Sequence, residues 1–133
     1  MRVVVDTSVW SRALRTGPGF TEPASRRLAA LLGKADIALT GLILQEILQG
    51  FRDDATFRKV AERLQSFPLL QLDRAHYVAA ARLRRRCAGG GVTVSTADCQ
   101  IAAAVIAHKC ALLTLDFDFE LIARHAPLRL VAT

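Results

Sequence analysis

The chain has 133 residues and 14.5 kDa, the size of one compact domain spanning 1–133, and its 52% hydrophobic content and mean hydropathy of +0.28 exclude disorder as the main state. Eighteen Lys+Arg against twelve Asp+Glu leave a net charge of +6, and fifteen of the cations are Arg, which fits a phosphate-rich partner as well as a general arginine bias. Three cysteines without a CxxC pair, a carboxylate at Asp6 too early for a signal-peptide core, and no apolar run near the roughly 20 residues that span a bilayer predict a soluble cytoplasmic protein with buried, reduced thiols and no membrane partner.

The chain begins with a β-branched run, Val3-Val4-Val5, ended by Asp6-Thr7-Ser8, which reads as a buried parallel strand turning into a helix that runs through Trp10 to Leu14. Arg15-Thr16-Gly17-Pro18-Gly19 breaks that helix, and Pro23 opens an amphipathic one closed by Gly33. Ile37-Ala38-Leu39 is a second strand. Thr40 caps a helix from Leu42 to about Phe51, and Asp53-Asp54 starts another that keeps its 3-4 spacing until Pro68. Leu69 to Leu72 is a third short strand, Asp73 opens a helix to about Cys87, and Gly89-Gly90-Gly91 stops it. Ser95-Thr96 caps a helix from Ala97 to Lys109. Ala111 to Leu115 is a strand ending at Asp116, Glu120 to His125 a short helix, and Leu128 to Val131 a last strand.

Strands that alternate with helices demand crossover connections. The predicted fold is therefore α/β: a three-layer α/β/α sandwich around a mainly parallel sheet of four to five strands. Ligands of such sheets sit at the carboxyl ends of the strands, where strand order reverses.

Most of the twelve acids have ordinary explanations as helix starts or solvated charges. Asp6 and Asp116 do not: each ends a strand, so both emerge at the carboxyl edge of the sheet, and they are neighbours if those strands are. Glu46 lies in mid-helix among Leu42, Ile43 and Gly50 rather than among cations, which points it towards something packed; a rim position reaching water or an Arg is an equally good account. Asp98 stands in a first helical turn, where unpaired amides favour a carboxylate, a structural role in its own right. Asp118 either joins the cluster or caps the helix near Glu120. Gathered acids repel one another, so protons or cations must offset the charge, and an all-oxygen set without His or Cys selects Mg²⁺ or Mn²⁺ over zinc.

Four segments together resemble the acidic motifs of PIN-domain ribonucleases: Val3-Val4-Val5-Asp6-Thr7-Ser8-Val9-Trp10, Leu44-Gln45-Glu46-Ile47-Leu48-Gln49-Gly50, Thr96-Ala97-Asp98-Cys99-Gln100-Ile101-Ala102-Ala103 and Leu113-Thr114-Leu115-Asp116-Phe117-Asp118-Phe119. Each alone is a weak signal, but four in order at these spacings are specific. Length and motif order resemble the VapC toxins of VapBC toxin–antitoxin pairs. The resemblance implies a metal-dependent endoribonuclease in which Asp6, Asp98 and Asp116 hold Mg²⁺ or Mn²⁺ and Glu46 orients or deprotonates the attacking water, leaving a 5′-phosphate and a 3′-hydroxyl. It also implies supporting hydroxyls at Thr7, Ser8 and Thr114, a homodimer, an RNA substrate, and a cognate antitoxin whose tail plugs the site.

Arg12, Arg15, Arg82, Arg84, Arg85 and Arg86 are candidates for guiding RNA to an acidic site, although consecutive arginines spread around a helix and solvating roles come first for any one of them. Trp10 and Phe51 read as packing residues. The alternative from another class is a catalytically idle RNA-binding or scaffold module of the same fold, which would have no need to cluster acids. A phosphoryl-transfer receiver ranks low without a second Asp after the first strand or a late strand-end Lys, and Gly89-Gly90-Gly91 lacks the flanking strand and helix of a phosphate cradle.

Overall fold

The computed structural model describes residues 1–15, 23–32 and 36–132. The segment 16–19, predicted to break the first helix, and the predicted stop at Gly33 lie outside the described residues. In chain order the elements are β1 (Arg2–Val5), α1 (Thr7–Arg15), α2 (Pro23–Leu32), β2 (Asp36–Ala38), α3 (Gly41–Leu48), α4 (Asp54–Leu64), α5 (Arg74–Gly89), α6 (Thr96–Ala107), β3 (Ala111–Leu113) and α7 (Asp118–Ala123).

The helices begin where side chains can accept the first free amides. Thr40, Asp53, Asp73 and Ser95 are the N-caps of α3, α4, α5 and α6, each accepting from a backbone N–H of the first turn. At the start of α5 the box is reciprocal: Asp73 accepts from the helix while His76 Nδ1 accepts the Asp73 amide at 2.9 Å. Helix α5 ends at Gly90, where a β-carbon would collide with the imidazole of His125, and Gly91 adopts φ +82. The glycine run thus serves close packing and a left-handed turn.

The sheet is parallel with strand order β2-β1-β3, Val3 facing Ile37 on one side and Ala111 on the other. Three strands are formed among the described residues, against the four to five predicted. The two missing ones survive as single parallel bridges at the sheet edges, Leu39 to Leu69 and Leu112 to Leu130. Each is made by two hydrogen bonds: Leu39 N–H to Pro68 O and Leu70 N–H to Leu39 O, and likewise Leu112 N–H to Arg129 O and Val131 N–H to Leu112 O. An edge segment has a partner on one side only, and Pro68 has no amide to extend its ladder, so pairing stops after one bridge.

Burial follows from this arrangement. Val4, Val5, Leu112 and Leu113 are fully buried at the sheet, and Val9, Ile43, Ile101, Val105, Phe119 and Ile122 pack around them from the helices. Trp10 is buried against Phe67 at 5.5 Å between ring centroids, a packing residue as predicted. Cys87, Cys99 and Cys110 are buried and unpaired, and burial pushes the Cys99 thiol up to about 11, which leaves it an inert apolar filler. No helix among the described residues is long and apolar enough to cross a membrane.

Strand β1 lies between β2 and β3. The chain moves outward from β1 to β2 and later returns to the other side of β1, so right-handed crossovers place the intervening helices on opposite faces. Strand order therefore reverses between β1 and β3, and the residues leaving their carboxyl ends face one crevice.

Candidate active site

Asp6 follows the last residue of β1 and is 5% exposed, a depth at which a carboxylate requires hydrogen-bond donors. Two hydroxyls supply them. Ser8 Oγ donates to Asp6 Oδ2 at 2.7 Å and Thr114 Oγ1 donates to the same oxygen at 2.9 Å. Each hydroxyl is itself held by an amide of the chain leaving β3: Leu115 N–H donates to Ser8 Oγ and Asp116 N–H to Thr114 Oγ1, both at 3.0 Å. The Asp6 amide completes the link by donating to Leu113 O at 2.8 Å. The β1 and β3 ends are therefore cross-tied, and Asp6 is held in one orientation.

Asp116 turns the chain into α7: its Oδ1 accepts from the Asp118 amide at 2.9 Å. Asp118 is thereby brought to the same edge. Asp98 arrives from the opposite element, the first turn of α6, where its amide is bound by Ser95 Oγ at 3.0 Å. One carboxylate oxygen of each of Asp98, Asp116 and Asp118 lies within 4.8 Å of the others. At such separations two carboxylates repel by roughly 3 kcal/mol at an effective dielectric of about 20.

That repulsion is visible in Asp98. Burial above all, and then the neighbouring Asp116, hold its carboxyl above the ordinary carboxylate range, at about 6; Asp6 and Asp118 add smaller contributions in the same direction, while the Ser95 hydroxyl pulls the other way. The influence of Asp6 on Asp98 places both acids in one electrostatic neighbourhood. Arg2–Asp36 and Arg58–Asp54 form ion pairs elsewhere and draw on none of these acids.

Glu46 is half-buried on α3 and receives a hydrogen bond from Thr7 Oγ1 at 3.1 Å. Its carboxylate is thus tied to the residue next to Asp6, across 39 positions of sequence. Of the arginine candidates, Arg84 Nε donates to Val94 O at 3.0 Å and Arg86 Nη1 to His125 O at 3.3 Å, so these two brace loop carbonyls as a structural role requires. The side chain of Arg15 lies outside the described residues.

The structure thus brings Asp98 and Asp116 together with Asp118, whose role the sequence left open, sets Asp6 behind them in a cage of hydroxyls, and holds Glu46 at the side through Thr7. A donor set made of oxygen alone fits a hard divalent cation and lacks the His or Cys of a zinc site. Phe117 and Glu120 escaped the sequence reading, although the alternation Leu115-Asp116-Phe117-Asp118 already placed apolar side chains between the acids.

A parallel α/β sheet with carboxylates gathered at its β1/β3 switch point defines an acid-site hydrolytic domain of the PIN type. The PIN domain profile matches residues 3–125, and the chain belongs to that family. Over 124 residues, 92% of each chain, it is 36% identical to ribonuclease VapC11 of Mycobacterium tuberculosis (strain ATCC 25618 / H37Rv) and to VapC ribonuclease Mb1587 of Mycobacterium bovis. Its fold resembles that of VapBC2 from Rickettsia felis bound to a DNA fragment from their promoter, with a TM-score of 0.79 at 20% identity over 98% of both chains. VapBC-5 from Mycobacterium tuberculosis aligns with a TM-score of 0.71 at 23% identity, over 99% of this chain and 98% of that one.

Proposed function

We propose that this chain is a divalent-cation-dependent endoribonuclease, the toxin of a type II toxin–antitoxin pair, acting in the cytoplasm as one domain. The observation that carries this reading is the convergence of Asp98, Asp116 and Asp118 within 4.8 Å, beside a buried Asp6. An idle module would gain nothing from such a repulsive cluster. The relatives named VapC ribonucleases supply the reaction class, and the VapBC complexes among the structural neighbours supply the expectation of a cognate antitoxin; assembly as a homodimer is what the family resemblance implies.

Asp6, Asp98 and Asp116 would hold Mg²⁺ or Mn²⁺, with Asp118 completing the set. Such a cation would supply acidity to water at the site and charge to offset that building on the phosphate oxygens. The remaining work belongs to the chain. Glu46, steadied by the Thr7 hydroxyl, accepts the proton of the attacking water. Ser8 and Thr114, both bound to Oδ2, keep the Asp6 carboxylate from turning. The 5′-phosphate and 3′-hydroxyl products follow from water attacking phosphorus with the 3′-oxygen leaving. The net charge of +6 makes the protein attractive to RNA at long range.

Cleavage of structured RNA in Mn²⁺ or Mg²⁺, with Asp6→Asn and Asp98→Asn as controls, tests this function. Cutting by the wild type that both variants and EDTA abolish is the expected result. Binding of RNA that is independent of cations and accompanied by no cleavage would establish the idle module instead.

A further inference from the structure

Beside the carboxylates lies an open cavity of about 360 Å³ whose wall includes Leu115, Asp116, Phe117, Glu120 and Leu130. Its volume falls in the roughly 300–1,000 Å³ range of small-ligand pockets. Two large apolar side chains are displayed at this wall, Leu115 at 42% and Phe117 at 56% exposure. Core packing does not require Phe117: Phe119, two residues on, is the ring that is fully buried. The backbone that carries the exposed ring is nevertheless fixed. Leu115 N–H is bound by Ser8 Oγ, Asp118 N–H by Asp116 Oδ1, and Phe117 O accepts the Glu120 amide at 2.9 Å. The Arg124 guanidinium stands 5.9 Å from the ring centroid.

An exposed aromatic ring on a hydrogen-bonded backbone, flanked in sequence by two site acids and opening on a cavity that also carries a carboxylate, has the chemistry of base recognition. We propose that this cavity is a nucleobase subsite in which Phe117 stacks on the base of a nucleotide flanking the scissile phosphate and Glu120 accepts hydrogen bonds from that base's edge. The proposal rests on the RNA-cleaving function above and deepens it by naming a specificity site.

Unpaired RNA bases are commonly read in this way, by stacking on an aromatic face and by hydrogen bonds to their Watson–Crick edge. One stacked base contributes about tenfold or more in affinity. A carboxylate has acceptors only, so it suits bases with donors at that edge. Guanine presents N1–H and the N2 amine side by side and can engage both oxygens. Uracil presents one N–H between two carbonyls, which a carboxylate repels. The subsite therefore favours guanine and disfavours uracil, while Arg124 supplies a cation for an adjacent phosphate.

The test uses an RNA that the wild-type protein cuts in Mn²⁺, with the nucleotide on each side of the cut replaced in turn by guanosine, uridine or an abasic residue. At one of the two positions the wild type should favour guanosine over the abasic residue by about tenfold in kcat/KM. Phe117→Ala should bring that ratio close to one and Phe117→Tyr should preserve it. Glu120→Gln should narrow the gap between guanosine and uridine while leaving guanosine above the abasic residue. Equal wild-type rates on all three RNAs at both positions, or an undiminished ratio in Phe117→Ala, would overturn the subsite and leave the nuclease standing. Failure of the wild type to cut any RNA would remove both. Loss of a dimer on sedimentation of Phe117→Ala would also overturn the proposal, by assigning the ring to a second copy of the chain.

Discussion

Thr114 and Asp6 stand 108 positions apart in sequence and are joined by a 2.9 Å hydrogen bond from Thr114 Oγ1 to Asp6 Oδ2. The same hydroxyl accepts the Asp116 amide, so one side chain fixes the first acid of the chain and the backbone of the last strand-end acid together. Thr114→Val preserves shape and removes both bonds. We expect a loss of about 1–3 kcal/mol in stability, since a buried carboxylate loses a donor and an amide loses its acceptor. Urea denaturation measures it, and an unchanged midpoint would show that Ser8 alone suffices.

Asp98 couples stability to pH. Its carboxyl, raised to about 6 by burial and then by Asp116, keeps its proton in the folded chain at pH values where the unfolded chain has lost it. The cation-free fold therefore loses stability as pH climbs from about 4 to about 6, and the full cost persists above that window. Asp98→Asn should abolish RNA cleavage and yet melt higher than the wild type at pH 7.5 in EDTA, by on the order of 1 kcal/mol once solvent screening of a half-exposed group is allowed for. The advantage should vanish near pH 4. Melting curves at the two pH values decide the matter.

Divalent cations should reverse that order. Millimolar Mn²⁺ raises the melting temperature of the wild type by mass action and leaves Asp98→Asn nearly unmoved, because a ligand that binds only the folded state stabilises it. Asp118→Asn, at the position the structure adds to the cluster, should weaken Mn²⁺ binding by roughly 10–100-fold, the range for residues that support or complete a metal shell. Isothermal titration of both variants checks this; unaltered Mn²⁺ affinity in Asp118→Asn would confine that acid to capping the turn.

Thr7 acts through Glu46. Glu46→Gln should lower kcat by about 10²–10⁴-fold, the usual contribution of a general base. Thr7→Val leaves the carboxylate in place without its 3.1 Å donor, so a smaller drop in kcat is expected, with KM held. Unchanged kcat, or a lower melting temperature with KM and kcat altered together, would mean that Thr7 merely supports the fold.

Much of this architecture is legible along the chain because its causes are local. The Val3–Val5 run and the caps at Thr40, Asp73 and Ser95 depend on residues within a turn of one another, and each reappears in the structure. The edges of the sheet were less legible. Leu69 and Leu128–Val131 have strand-like composition, but a partner on one side only reduces each edge to a single bridge.

From sequence alone come the alternation of strand and helix, and with it a parallel sheet, together with the placement of Asp6 and Asp116 after strands and of Asp98 in a first helical turn; backbone propensity and capping act over a few residues and need no distant partner. Only the tertiary structure decided that β3 lies beside β1, that Asp118 turns in with Asp98 and Asp116, that Ser8 and Thr114 share one oxygen of Asp6, and that Phe117 is left outside while Phe119 is buried. Those outcomes depend on strand order and on the direction of each side chain, which are set by packing between segments far apart in the chain.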